Sequence, residues 1–117
     1  MSEELKLISL IENMIYVIRE QRVMLDSDLA RLYGIETKQL NRQVRRNLSR
    51  FPEDFMFQLN AQEYKSLKCQ IGTSNDGRGG KQKQPLVFTE NGVAMLSNVL
   101  NSENAIKVNI SIMRILH

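Results

Sequence analysis

Lys38, Arg42, Arg45, Arg46 and Arg50 fall within one stretch, Thr37 to Pro52, that holds no acidic residue, and the amides Gln39 and Asn41 are interspersed with them. An arginine guanidinium is a planar fork of donors that fits the paired acceptors of a guanine edge or two phosphate oxygens. A Gln or Asn amide matches the donor and acceptor of adenine. A solvated face in an ordinary domain mixes both signs of charge, so a run of cations without a carboxylate points to a polyanion. Lys38, Gln39, Asn41 and Arg42, in the N-terminal part of the run, are the candidates for contacting base edges. Arg45, Arg46 and Arg50 are the candidates for gripping phosphates.

The charge distribution supports this more than the total, which is only +3. Residues 38–83 hold ten basic side chains against four acidic ones (Glu53, Asp54, Glu63 and Asp76), whereas the first 37 residues hold four basic and seven acidic. Charge alone is equally consistent with a solvated surface that keeps the protein soluble, so spacing must carry the distinction.

Other chemistries find little support. Cys69 is the only cysteine and His117 the only histidine, so neither an internal disulfide nor a Cys/His zinc site can form. Cys69 is expected to be a buried or half-buried small hydrophobe, with no histidine in the body of the chain to activate it. Glu53 and Asp54 are adjacent, and on a strand they would point to opposite faces. Gly72, Gly77, Gly79, Gly80 and Lys81 suggest a phosphate loop, but Lys81 is followed by Gln82 rather than Ser or Thr, and a helix rather than a strand is expected before the segment. Neither an enzyme, nor a cofactor, nor a small-molecule substrate is expected. No apolar run is long enough to cross a bilayer, and the acidic start Met1-Ser2-Glu3-Glu4 is unlike a secretory signal. The expectation is a cytoplasmic protein.

The basic run needs an element to hold it. Leu40, Val44 and Leu48 recur every four residues and define the apolar stripe of a helix, with Thr37 as its N-cap and Pro52 as its limit. At about 100° per residue, Lys38, Arg42, Arg46 and Ser49 point away from that stripe, and Gln39 and Arg45 lie on its shoulders. A shorter helix precedes it, Ser27 to Tyr33, capped by Asp26 and ended by Gly34, which can adopt positive φ. Helix, glycine turn and second helix have the spacing of a helix-turn-helix. Ala30 permits a close crossing, and Leu29, Tyr33, Ile35, Leu40 and Val44 fill the wedge. Such a pair holds its second helix proud for a major groove. A plain αα-hairpin of an unrelated domain remains the alternative, and Gln43 stands where many such motifs have an apolar residue.

Around this motif, residues 1–12 read as an N-terminal helix or arm. Met14 to Arg19 and Arg22 to Leu25 read as two strands with a turn at Glu20-Gln21. Phe55, Phe57 and Leu59 alternate as a strand with one buried face, and Asn60 to Glu63 resembles a capping box that opens a helix to about Cys69. Residues 72–84 lose all periodicity and read as a flexible basic loop, in which Arg78, Lys81 and Lys83 could fold onto a DNA backbone. Leu86 to Phe88 reads as a buried strand, and Thr89 as the N-cap of a helix with Val93, Leu96, Val99 and Leu100 inward. In residues 102–117, Ile106, Val108, Ile110 and Ile112 alternate like a strand, while Ala105, Val108, Ile112 and Ile115 repeat like a coiled-coil seam. Helix is the preferred reading, with homodimerisation through this segment. No stop signal precedes His117, so the helix is expected to continue in a longer natural protein.

Several stretches in order carry a resemblance to a known family. They are Arg22-Val23-Met24-Leu25-Asp26-Ser27-Asp28-Leu29-Ala30, Leu32-Tyr33-Gly34, Arg46-Asn47, Arg50 to Leu59, Phe88 to Ser97, Ala105 to Ile110 and Ile112-Met113-Arg114. Together they resemble the ORF-six-N domain, a relative of the KilA-N domain. The resemblance implies a DNA-binding domain of phages, prophages and bacterial mobile elements, often found in regulatory or antirepressor-like proteins. Glu20 stands where that family often has Gly.

The expected architecture is one α+β domain over residues 1–117. In it a helix-turn-helix (residues 26–50) packs on a small antiparallel sheet built from residues near 14–25, 55–59 and 86–88, with C-terminal helices. It is winged-helix-like, the strand after the recognition helix serving as the wing. The expected function is binding of double-stranded DNA, with a protein-interaction module for an acidic partner as the rival. No aromatic platform accompanies the basic residues, which argues against single-stranded nucleic acid.

Overall fold

The computed structural model describes residues 2–71 and 84–117. Helix α1 (Glu3–Glu12) leads into strands β1 (Ile15–Ile18) and β2 (Gln21–Leu25), then helices α2 (Asp26–Tyr33) and α3 (Thr37–Arg46). After a 3-10 turn over Leu48–Arg50 come β3 (Met56–Gln58), α4 (Ala61–Ile71), β4 (Leu86–Phe88), α5 (Glu90–Leu100) and α6 (Glu103–Leu116). The sheet is antiparallel, in the order β1-β2-β4-β3. The fold is thus α+β, with the sheet in the three regions expected.

The sheet is a middle layer. Met24, Phe88 and Met56 lie side by side in register and join the main core, with Ile11, Leu29, Leu40, Val44, Val93, Leu96 and Ile112 from the surrounding helices. Their neighbours Leu25, Val87 and Phe57 face the other way and pack, with Val23 and Leu59, against Tyr64 and Leu67 of α4. Met56 is therefore buried on the face opposite Phe57, and β3 does not have the single buried face that its alternation suggested. β3 is an edge strand of this sheet, between the 3-10 turn and α4.

Two turns decide how the chain folds back. Gly34 closes α2 at φ 77°, which glycine adopts without steric cost. The β1–β2 turn is Arg19-Glu20, one residue earlier than expected, because Ile18 pairs with Gln21. Both turn residues have positive φ, 53° and 64°, as a two-residue primed turn requires, although neither is Gly or Asn. Arg19 is held there by a double hydrogen bond to Glu63, 2.8 and 3.0 Å, and its guanidinium stacks 4.1 Å over the Phe57 ring. Those contacts offset a backbone cost of about 1 kcal/mol or more per residue. Arg19 also draws the Glu63 carboxyl below its ordinary range, chiefly through the hydrogen bond.

The caps follow local chemistry. Ser2, Thr89 and Ser102 accept from the first-turn amides of α1, α5 and α6. Asn60 and Glu63 exchange side-chain-to-backbone bonds of 2.7 and 2.9 Å at the start of α4. The C-terminal segment is a helix, as preferred. Of its coiled-coil-like seam, Ala105, Val108 and Ile112 are buried in the core and Ile115 packs partly buried against it.

Candidate nucleic-acid interface

Helix α2, the Gly34 turn and α3 form the expected helix pair. Leu29, Ala30, Tyr33, Leu40 and Val44 are all buried at their junction. The helix ends sooner than its stripe suggested. α3 stops at Arg46, and the 3-10 turn that follows leaves Leu48 57% exposed. Phe51 takes the core position instead, edge-on to Phe88 with ring centroids 5.9 Å apart.

Both N-caps lie one residue earlier than the local sequence pattern predicts. Glu36, not Thr37, caps α3: its side chain accepts from the Gln39 amide, and the Gln39 side-chain oxygen accepts from Glu36 N–H at 3.0 Å. Asp26 is the first residue of α2 rather than its N-cap, and it is 1% exposed. Its Oδ1 accepts from Ser27 N–H at 2.7 Å, while Oδ2 accepts from Asn41 Nδ2 and Leu86 N–H, each at 3.2 Å. One carboxylate thereby ties α2 to α3 and to β4.

This arrangement sorts the expected site residues. Lys38, Gln39, Arg42, Arg45, Arg46 and Arg50 are exposed. Asn41, expected at base edges, is turned inward to Asp26, and its other side-chain atom, Oδ1, is buried. Gln39 spends its oxygen on the cap, which fixes the amide near the helix start. Arg50 donates through Nη1 to Asn98 of α5 and so is braced against the body of the domain. Lys38 lies 3.4 Å from Glu36 in a solvent-exposed pair, of the kind worth little in water. Arg42, Arg45 and Arg46 make no ion pair among the described residues. Arg78, Lys81 and Lys83 lie outside the described residues.

The basic face is held from behind by a rigid frame. α3 packs on α2 and α5. Tyr33, at the end of α2, donates its hydroxyl to Asn109 of α6 at 2.6 Å, and Asn109 donates to the Val93 carbonyl of α5 at 2.8 Å. The Tyr33 carbonyl accepts from Asn104 at 2.6 Å. Burial raises the Tyr33 phenol well above its ordinary range.

Elsewhere, Cys69 is exposed, contrary to the burial expected of it. Its place near the end of α4, where only Tyr64 and Leu67 turn inward, accounts for this. No group of His, Cys, Asp and Glu that could hold a metal ion occurs among the described residues. No helix among them is long and apolar enough to cross a membrane.

A family model described as the ORF6N domain matches residues 13–99. No curated protein and no solved structure matches the chain.

Proposed function

This chain belongs to the ORF6N domain family, and from that premise and the geometry of α3 we propose that it binds double-stranded DNA through its helix-turn-helix. The observation that carries the reading is the outward face of α3, where Arg42, Arg45 and Arg46 stand exposed on a helix fixed to α2 and α5. Because the helix is already formed and packed, only side-chain freedom, and no backbone freedom, is lost when its cations meet phosphates. A helix pair of this kind presents the N-terminal part of its second helix to a major groove.

Lys38, Gln39 and Arg42 occupy that part and contact base edges in this reading. Arg45 and Arg46 grip phosphates, and so does Arg50, which has donors beyond the one it gives Asn98. Asn41 serves as a positioning residue through Asp26 rather than as a reader. Binding, not catalysis, is the activity. Its setting is the cytoplasm of a bacterial host, in a phage- or prophage-type regulator or antirepressor-like protein.

The test is a titration against random-sequence duplex DNA at two salt concentrations, with the Arg42→Ala/Arg45→Ala double variant beside it. Displaced counterions make log affinity fall linearly with log salt. Three neutralised phosphates correspond to roughly a 40-fold loss over a fourfold rise in salt. The variant should bind more weakly and show a shallower slope. Absence of salt-sensitive binding by folded protein, or an unchanged slope in the variant, would overturn the reading and turn attention to an acidic protein partner.

A further inference from the structure

α6 has two apolar faces, and the fold uses one. Ala105, Val108, Asn109, Ile112 and Leu116 face inward. On the opposite side Ile106 and Ile110 stand 42% and 49% exposed, in line with Glu103 and Arg114. Single exposed apolar residues need no explanation. These two form a ridge with a groove on each flank. One, about 540 Å³, runs between α5 and α6 and is lined by Ala94, Ser97, Ile106, Ile110 and Met113. The other, about 570 Å³, runs between α1 and α6, where Leu7 and Ile110 are flanked by Glu3, Glu4, Lys107 and Arg114. Small residues floor the first groove, which leaves room for an incoming branched side chain.

We propose that this ridge is the contact between two copies of the chain, packed antiparallel across α6 about a two-fold axis. Charge selects this occupant. The ridge carries Glu103 toward its N-terminal end, Arg114 toward its C-terminal end and Lys107 on its α1 flank, where Glu3 and Glu4 line the same groove, so a partner of a single sign would be repelled by one group or another. A second α6 in the same direction would set Glu103 against Glu103 and Arg114 against Arg114. Reversed, with the axis near residue 108, it sets Ile106 against the second copy's Ile110 and brings each Glu103 beside the second copy's Arg114. The same patch of each copy then meets itself with apolar side chains at the centre and opposite charges toward the ends, the self-complementarity that a closed two-fold interface demands.

Sedimentation velocity of the chain without DNA, over a hundredfold concentration range, tests the contact independently of the DNA reading. A monomer–dimer equilibrium is expected. Ile110→Asp should raise its Kd by about 100-fold or more, since a charge replaces an apolar side chain at the centre of the interface twice over. Glu103→Arg and Arg114→Glu should each weaken the dimer, and the double exchange should recover it. Both lie at exposed positions, so they carry the test even if Ile110→Asp disturbs folding, which a circular dichroism melt would reveal. A chain that stays monomeric, a dimer indifferent to Ile110→Asp, or a double exchange without recovery would overturn the proposal.

Discussion

Helices α3 and α6 both bury an apolar stripe against α5 and α2, and both are fixed by buried polar side chains from their neighbours. They differ in what they turn outward. α3 shows guanidinium groups without carboxylates of its own, while α6 shows two isoleucines among charges of both signs. The inner faces are dictated by the same core and say little about function. The outer faces are free of that constraint, so under the two proposals their chemistry reflects what each helix would meet: a uniform polyanion for α3 and a second copy of the same surface for α6.

The comparison can be broken most severely at the platform the two helices share. Gly92, in the first turn of α5, lies so close to the residue before β3 that an added Cβ would sit 1.9 Å from the Phe55 carbonyl oxygen. The Phe55 carbonyl already accepts from Thr89 N–H at 3.0 Å, so the obstructing atom is fixed backbone. Alanine normally favours a helix, but here overpacking dominates. Gly92→Ala should lose at least about 3 kcal/mol in urea denaturation. DNA binding and self-association should fall together. A Gly92→Ala variant of ordinary stability would show that α5 shifts freely and is no common platform.

A change at Asp26 should separate the two helices. Asp26→Ala removes the acceptor shared by Asn41 of α3 and the Leu86 amide, stranding buried donors at a cost of about 2–3 kcal/mol. Because the lost tether belongs to α3, DNA affinity should drop more than dimer stability at a temperature where the variant is still folded. Equal losses in both would mean that Asp26 acts only through overall stability.

What could be read from the chain was what is settled within a few residues. The three sheet segments, the glycine turn, the Thr89 cap and the Asn60–Glu63 box each depend on near neighbours, and each was legible. The misreadings share a cause. Asp26 looked like an N-cap because its partners, 15 and 60 residues away, are invisible locally. Asn41 looked like a base reader for the same reason. The Arg19-Glu20 turn lacks glycine and is held by Glu63, 44 residues on. Leu48 kept the four-residue spacing, but the helix had already tightened into a 3-10 turn that rotates it outward. The strand-like alternation in α6 had a different origin: Val108 and Ile112 serve the core, and Ile106 and Ile110 the outer ridge.

The smallest expected effect concerns the tether of α6. Tyr33→Phe removes the hydroxyl that donates to Asn109 Oδ1 while keeping the ring in the core. It leaves a buried acceptor short of a partner, for about 1–2 kcal/mol. The pH dependence isolates the group. Burial is the main reason the folded phenol sits above its ordinary value of 10.0, so the folded state keeps a proton that the unfolded chain releases. That contribution is fully present below pH 10.0 and is lost as the pH climbs above it toward the folded value. Stability should therefore fall more steeply above this point in the parent than in Tyr33→Phe, and the two urea midpoints should converge. Because Tyr33 fixes α6 through α2, the variant should loosen self-association slightly and leave the salt slope of DNA binding unchanged. Parallel midpoint curves across that range would mean that the Tyr33 hydroxyl reaches water, and that α6 is held without its bond to Asn109.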